Sequence, residues 1–191
     1  MKITVAITGA SGTLYAIRLL ERLGKIPQVD KIAVVASRNG SEVAQYEIGD
    51  QWDKQFREST KTEFFANDDF FVPIASGSAV YDAMVITPCS MGTVARIASG
   101  VSDNLITRAA DVTLKERKKL IIVPRESPLS LIHLENMTRL ARAGAIILPA
   151  CPSFYSRPET TEQLVDTVTD RILAQLGIGD KEAYRWKESR H

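Results

Sequence analysis

The chain has 191 residues, 45% of them hydrophobic, and its 24 lysines and arginines against 23 aspartates and glutamates give a formal net charge of +1. We therefore expect no nucleic-acid or membrane partner, because the chain lacks a strong basic field and no apolar run approaches the roughly 20 residues of a membrane span. Two cysteines without zinc spacing are too few for a secreted disulfide scaffold, and with no signal-peptide pattern they predict a cytoplasmic protein.

The first predicted element is a strand over residues 3–7, apolar and β-branched without polar alternation, as in strands covered by helices on both faces. It ends at the turn GASG, residues 9–12, and a helical pattern follows over residues 13–23. This order aims backbone N–H groups and a positive helix end at one point. The G-x-x-G spacing does not meet the dinucleotide fingerprint, so an ordinary tight turn and a ligand loop both remain open. In a ligand loop, side chains at Gly9 or Gly12 would collide with the ligand.

The second predicted strand, residues 31–36, ends in Ser37 and Arg38. A dinucleotide-binding fold would place an acidic residue there to hold a ribose, so the serine argues against NAD. The arginine leaves NADP open. A helix is predicted over residues 41–48, and it carries Glu47.

The stretch 50–67 is mostly polar and predicts a short helix and a connection. A short strand over residues 70–74 and the sequence SGS at residues 76–78 follow. Asp68 and Asp69 do not form the DDxxD motif that a magnesium-dependent prenyl-diphosphate enzyme would need. Because the chain also has only two histidines, we expect no metal site.

The second half of the chain continues the alternation of strands and helices. Predicted strands cover residues 83–87, 120–123 and 145–148, and predicted helices cover residues 94–98, 105–118, 128–143 and 159–176. Ser127 followed by Pro128 favours a helix start there, as an N-cap and a proline at the first helical position.

This alternation predicts an α/β fold, a doubly wound parallel sheet in a three-layer sandwich with right-handed crossovers. In such sheets ligands bind beyond the carboxyl ends of the strands, at the switch in strand order. Hydroxyls, glycines, an arginine and a carboxylate follow the predicted strands, at residues 9–12, 37, 76–78, 90–93 and 125–126. This collection suits a phosphorylated, partly aromatic ligand better than a metal ion.

The chain also carries a series of short motifs. In order they are GASG at 9–12, SGS at 76–78, PCS at 88–90, RAADV at 108–112, LKER at 114–117, VPRE at 123–126, HLENM at 133–137, FY at 154–155 and RW at 185–186. Together they resemble the UbiX-type flavin prenyltransferases over essentially the whole chain. The resemblance implies one flavodoxin-like, flavin-binding domain over residues 1–191, assembled as a homododecamer, with a tail from about residue 178 that closes the site.

The resemblance implies prenyl transfer without a metal. A dimethylallyl group would pass from dimethylallyl monophosphate to N5 and C6 of reduced FMN. The product, prenylated FMN, would serve a UbiD-type decarboxylase, in ubiquinone biosynthesis or in aromatic acid decarboxylation. The related flavin-dependent cysteine decarboxylases and a non-catalytic flavin-carrying subunit of a decarboxylase are the alternatives.

Residue roles follow from the same resemblance. FMN would be held by Gly9, Ala10, Ser11, Ser37, Ser90, Met91, Gly92, Thr93 and Arg125. The prenyl phosphate would be bound by Tyr155, Arg171, Lys115 and Arg108, with the last two acting across subunit boundaries and Trp186 as a lid.

The implied catalytic groups are two pairs. Glu126 and Lys115 would assist phosphate departure, whereas Ser11 and Glu47 would move the proton lost from C6. Considered without the family, Lys115 is most simply a solvated residue at a helix C-terminus, where the helix dipole stabilises a cation. Ala79 departs from the family, whose members often carry an aromatic residue after the SGS motif.

Overall fold

A computed structural model describes residues 1–79 and 81–179. Strands and helices alternate along this part of the chain. The elements are β1 (Lys2–Ile7), α1 (Thr13–Lys25), β2 (Lys31–Ala36), α2 (Arg38–Glu47), α3 (Lys54–Arg57), β3 (Thr62–Phe65), β4 (Ala83–Cys89), α4 (Met91–Ala98), α5 (Leu105–Lys115), β5 (Lys119–Pro124), α6 (Leu131–Arg142), β6 (Ile146–Ile147) and α7 (Thr161–Leu176).

The strands form one parallel sheet in the order β3-β2-β1-β4-β5-β6. This is the strand order of the doubly wound dinucleotide-binding fold, so the predicted α/β fold class is confirmed. The order reverses between β1 and β4, where consecutive connections leave on opposite sides of the sheet. A crevice is therefore expected beyond the carboxyl ends of these two strands.

Two apolar layers cover the sheet. Ile3, Val5 and Ile7 of β1 face a core shared with α1 and α7, whereas Ala6 lies in a second core with α4 and α5. Fully buried leucines such as Leu23 hold α1, and each contributes about 1.5–3 kcal/mol. Burial of these side chains on both faces explains why the strands lack polar alternation.

Two ion pairs join α1 to α7. Arg18 contacts Asp166 at 2.7 Å between Nη2 and Oδ2, and Arg22 contacts Asp170. The partners are four residues apart on both helices, so the pairs form a ladder between parallel neighbours. Since all four side chains are partly exposed, each pair contributes at most about 1 kcal/mol, less than one buried leucine.

One strand was missed and another was wrongly predicted. The predicted connection at residues 50–67 contains the edge strand β3, whose Phe64 packs on Trp52 and under the Arg57 guanidinium. Residues 70–74 do not form a strand, since Pro73–Ala75 is a short 3-10 turn and the Phe71 side chain is fully exposed. An edge strand that is half-exposed on both faces lacks the alternation on which strand prediction depends.

Several predicted helix ends shift because other residues supply the caps. The predicted start at Ser127 is wrong: Ser130 caps α6 in a capping box with His133, and their N–H groups each donate to the other's side chain at 3.3 Å. Ser37 and Ser90 likewise cap α2 and α4, which begin three residues earlier than predicted. None of the helices in residues 1–79 and 81–179 is long and apolar enough to cross a membrane.

Candidate active site

The turns after β1, β2, β4 and β5 meet at the carboxyl edge of the sheet. Arg125, directly after β5, donates from Nε to the carbonyl oxygen of Ser11 at 3.0 Å. It also donates its backbone N–H to the carbonyl of Cys89 at 3.2 Å. Arg125 thus connects the carboxyl ends of β1, β4 and β5. The sequence analysis predicted that the residues following these strands meet at one edge of the sheet.

Glu47 closes the glycine turn from the side. Its carboxylate accepts two hydrogen bonds of 3.0 Å from the N–H of Gly12 and one of 2.8 Å from the N–H of Thr13. Burial raises the pKa of the Glu47 carboxyl, but hydrogen bonds from the Ser11 hydroxyl and the two backbone amides outweigh it, and the pKa lies below its ordinary value. Glu47 is therefore an ionised cap on the N-terminus of α1.

The two glycines of this turn are required by the fold of the chain itself. A Cβ on Gly9 would lie 2.6 Å from the Cβ of Asn39 in the first turn of α2. Gly12 has φ +110°, in the left-handed region that favours glycine. A side chain at Gly9 would therefore collide with α2 even without a ligand, and a side chain at Gly12 would strain the backbone.

Thr8 is a site residue that the sequence reasoning missed. Its hydroxyl donates to the carbonyl of Pro88 at 2.9 Å and accepts from the N–H of Ser90 at 2.8 Å. It is 2% exposed. Thr8 therefore fixes the turn after β4 against the turn after β1, across the switch point. Its position directly after an apolar strand was the available signal.

The N-terminus of α4 is the open anion-binding position of this edge. Ser90 accepts from the N–H of Thr93 at 3.3 Å, and the two hydroxyls lie 3.1 Å apart. Gly92 is exposed, and a Cβ placed on it would meet no atom of the described residues within 4 Å. Met91 is buried beneath them. Hydroxyls, open backbone and a positive helix end fit a phosphate group here.

Glu126 and Tyr155 lie at the same edge on loops. Glu126 is exposed, and its carboxylate accepts from the N–H of Ser127 at 3.1 Å. The Tyr155 side chain is 67% exposed and its neighbour Phe154 is 72% exposed. Both loops can therefore present their side chains to a ligand or to a neighbouring chain.

A second polar cluster lies away from this edge. Lys115 ends α5 beside the start of β5, and a Cβ on Gly77 would lie 2.6 Å from its ammonium nitrogen. The expectation that the SGS motif joins the carboxyl edge is therefore wrong: Ser76 and Ser78 lie shortly before the start of β4, at the amino edge. A six-residue strand separates the two edges by about 20 Å.

The remaining predicted cations lie on helices. Arg108 donates from Nε to the carbonyl of Ala75 at 3.0 Å and contacts Asp111 at 3.1 Å. Arg171 is an exposed residue on α7. Trp186 lies outside the described residues. Within residues 1–79 and 81–179, no cluster of histidine, cysteine, aspartate and glutamate could hold a metal ion.

Comparison with known proteins places this geometry in a family. A profile of the flavoprotein family matches residues 1–173. The chain is 46% identical over 186 residues to the flavin prenyltransferase UbiX of Methanocaldococcus jannaschii, covering 97% of this chain and 98% of that protein. The chain belongs to the UbiX-type flavin prenyltransferases.

Two solved structures of UbiX-like proteins share the whole fold. The dodecameric FMN-dependent UbiX-like decarboxylase from Escherichia coli O157:H7 is 39% identical with a TM-score of 0.90, covering 98% of this chain and 100% of that one. AnUbiX (PadA1), solved in complex with FMN and dimethylallyl pyrophosphate, is 38% identical with a TM-score of 0.89, covering 99% and 98%. The predicted family is thus confirmed.

Proposed function

We propose that this protein transfers a dimethylallyl group from dimethylallyl monophosphate to N5 and C6 of reduced FMN and so makes prenylated FMN for a UbiD-type decarboxylase. The observation that carries the proposal is the carboxyl-edge site, where an open helix N-terminus, Arg125 and the Ser11–Glu47 contact converge. Identity of 46% to a named prenyltransferase favours transfer over the cysteine-decarboxylase and flavin-carrier alternatives.

In this proposal the FMN phosphate binds at the N-terminus of α4. Glu47 already fills the N-terminus of α1. The phosphate is then held by Ser90, Gly92 and Thr93 above the buried Met91. Gly9, Ala10, Ser11, Ser37 and Arg125 hold the rest of the flavin. Reduced FMN supplies the nucleophilic N5 and C6 atoms.

The prenyl phosphate needs cations where negative charge develops as its C–O bond breaks. We assign this task to Arg108, Lys115 and Arg171, and the Tyr155 hydroxyl would donate a further hydrogen bond to the phosphate. Because Lys115 lies at the opposite edge from Ser11 in one chain, it reaches the flavin only from a neighbouring copy. Glu126 donates a proton or hydrogen bond to the leaving phosphate.

Ser11 and Glu47 form the proposed proton path. The Glu47 carboxylate is ionised because its pKa is lowered. Ser11 precedes Gly12, whose N–H donates to this carboxylate, so we assign Ser11 the step of taking the proton lost from C6 while passing its own to Glu47. A lowered pKa makes Glu47 a weak base, which suits transient transfer followed by release to water.

The proposed assembly is a cytoplasmic homododecamer. α6 exposes Leu131, Ile132 and Leu134, whose side chains are 69%, 67% and 46% exposed. Such an apolar face marks a contact surface, and we assign it to further copies of this chain. The tail from about residue 178, including Trp186, is proposed to close the site.

One experiment tests the activity. Purified protein is incubated under anaerobic conditions with reduced FMN and dimethylallyl monophosphate, and the molecular mass of the extracted flavin is measured by mass spectrometry. We expect the flavin to gain one five-carbon unit, with matching release of inorganic phosphate. A cysteine decarboxylase or a flavin carrier would leave the flavin mass unchanged, and that result would reject the proposal. A parallel reaction with dimethylallyl diphosphate measures the preference for the monophosphate.

A further inference from the structure

We propose that Glu47 determines the class of nucleotide that this fold accepts: its carboxylate takes the position of a dinucleotide's pyrophosphate, so that a flavin with one phosphate binds and a dinucleotide does not. The inference rests on the proposed function in taking FMN as the nucleotide. It assigns Glu47 a specificity role that is separate from moving a proton.

The strand order identifies the N-terminus of α1 as the pyrophosphate position of a dinucleotide-binding fold. In doubly wound sheets with this order, the pyrophosphate of a bound dinucleotide lies at the N-terminus of the helix after β1. Here that helix is α1, and the N–H groups of Gly12 and Thr13 point at the Glu47 carboxylate, at 3.0 and 2.8 Å. A side chain of the chain itself therefore occupies the anion position.

The packing of α2 keeps the Glu47 carboxylate at the N-terminus of α1. Glu47 is the last residue of α2, and Ser37 fixes the other end of that helix by accepting from the N–H of Gly40 at 3.0 Å. The backbone of Gly40 packs directly against the end of β1, since a Cβ there would lie 2.5 Å from the Ile7 carbonyl oxygen and a larger residue would push α2 away. α2 is thus held against the end of β1, with its final carboxylate over the glycine turn.

The negative charge of the Glu47 carboxylate opposes the binding of a pyrophosphate at the N-terminus of α1. The carboxylate satisfies the positive end of α1, and a pyrophosphate brought to the same amides would meet a fixed negative charge at contact distance. The N-terminus of α4, with the Ser90 and Thr93 hydroxyls, lacks such an occupant among the described residues. Of the two helix N-termini that flank the switch point, the one on α4 is therefore open to a phosphate among the described residues.

The test compares nucleotide binding to the apo-protein, measured by calorimetry with FMN, with FAD and with inorganic pyrophosphate. The variants are Glu47→Ala, which empties the position, and Glu47→Gln, which keeps the side-chain size without the charge. Glu42→Gln is the matched control: Glu42 lies on the same helix, exposed and paired with Arg38, and its loss changes the net charge equally.

We expect the wild type to prefer FMN over FAD, and Glu47→Ala to reduce that preference about tenfold while binding pyrophosphate about tenfold more tightly than the wild type. Glu47→Gln should shift in the same direction, whereas Glu42→Gln should match the wild type. An unchanged preference and unchanged pyrophosphate affinity would overturn the inference. So would an equal loss of FMN and FAD binding, which is the result expected of a purely structural cap.

These outcomes are separate from those of the proposed activity. A wild type that binds FMN but never alkylates it would reject the prenyl transfer and leave the preference measurement valid. Pyrophosphate binding needs no flavin, so that measurement decides the inference even if FMN does not bind.

Discussion

Replacing Thr8 with valine tests the connection between the two turns at the switch point. The substitution keeps the size of the side chain and replaces the hydroxyl, which joins Pro88 to Ser90, with a methyl group. The Pro88 carbonyl keeps the N–H of residue 8 as a donor at 3.2 Å, but the Ser90 N–H loses its acceptor. An unsatisfied donor costs about 1–3 kcal/mol when buried, and because this N–H is only partly buried we expect the free energy of unfolding to fall by at most about 2 kcal/mol.

For a domain of 191 residues, this loss corresponds to a decrease in Tm of at most about 4–8 °C. Thr8→Ser is the matched control, because it keeps the hydroxyl and removes one buried methyl group at a cost of about 1 kcal/mol. Thermal unfolding of all three proteins is measured at one protein concentration, since oligomerisation shifts Tm. Equal Tm values for Thr8→Val and the wild type, or a lower Tm for Thr8→Ser than for Thr8→Val, would refute this reasoning.

Four further measurements address the site. Glu126→Gln should keep FMN content and oligomeric state but slow single-turnover flavin alkylation about a hundredfold or more, and an unchanged rate per bound flavin would remove Glu126 from the mechanism. Gly9→Val should lower Tm together with FMN content, because its side chain would meet Asn39; full stability with lost FMN would instead indicate a ligand collision. The wild type should have a higher free energy of unfolding than Glu47→Gln, and this difference should be complete above the ordinary carboxyl pKa of 4.5 and disappear as pH falls through the lowered folded-state pKa of Glu47. A difference that grows on acidification would contradict the assigned cap. Activity should survive EDTA, and strict loss with rescue by magnesium would contradict a metal-free reaction.

The fold class could be predicted because its signals are local and strong. The apolar run of β1, the glycine turn and the helical pattern of α1 all agree, and their bounds match the structure closely. The edge strand β3 could not be predicted in this way. Its pairing with β2 depends on contacts such as Phe64 with Trp52, which are distant in sequence and leave no periodic pattern.

The site was predictable where residues follow strands and unpredictable where side chains reach across the fold. Ser90 and Arg125 come directly after strands and Ser11 lies in the turn after β1, so their meeting at one edge follows from topology. Glu47 ends a helix, and its reach to the amides of the glycine turn depends on the placement of α2. The SGS motif was misplaced because the strand predicted before it does not form, and the chain returns to the amino edge instead.

The ion-pair ladder between α1 and α7 has a mechanical consequence. Arg18 and Arg22 contact partners with the same four-residue spacing, so the two helices cannot slide past each other by less than a full turn without breaking both pairs. A full turn is about 5.4 Å, and the buried stripe that includes Val168 and Ile172 opposes it. The ladder therefore selects one register between the two helices, whereas the buried stripe supplies most of the energy that holds them together.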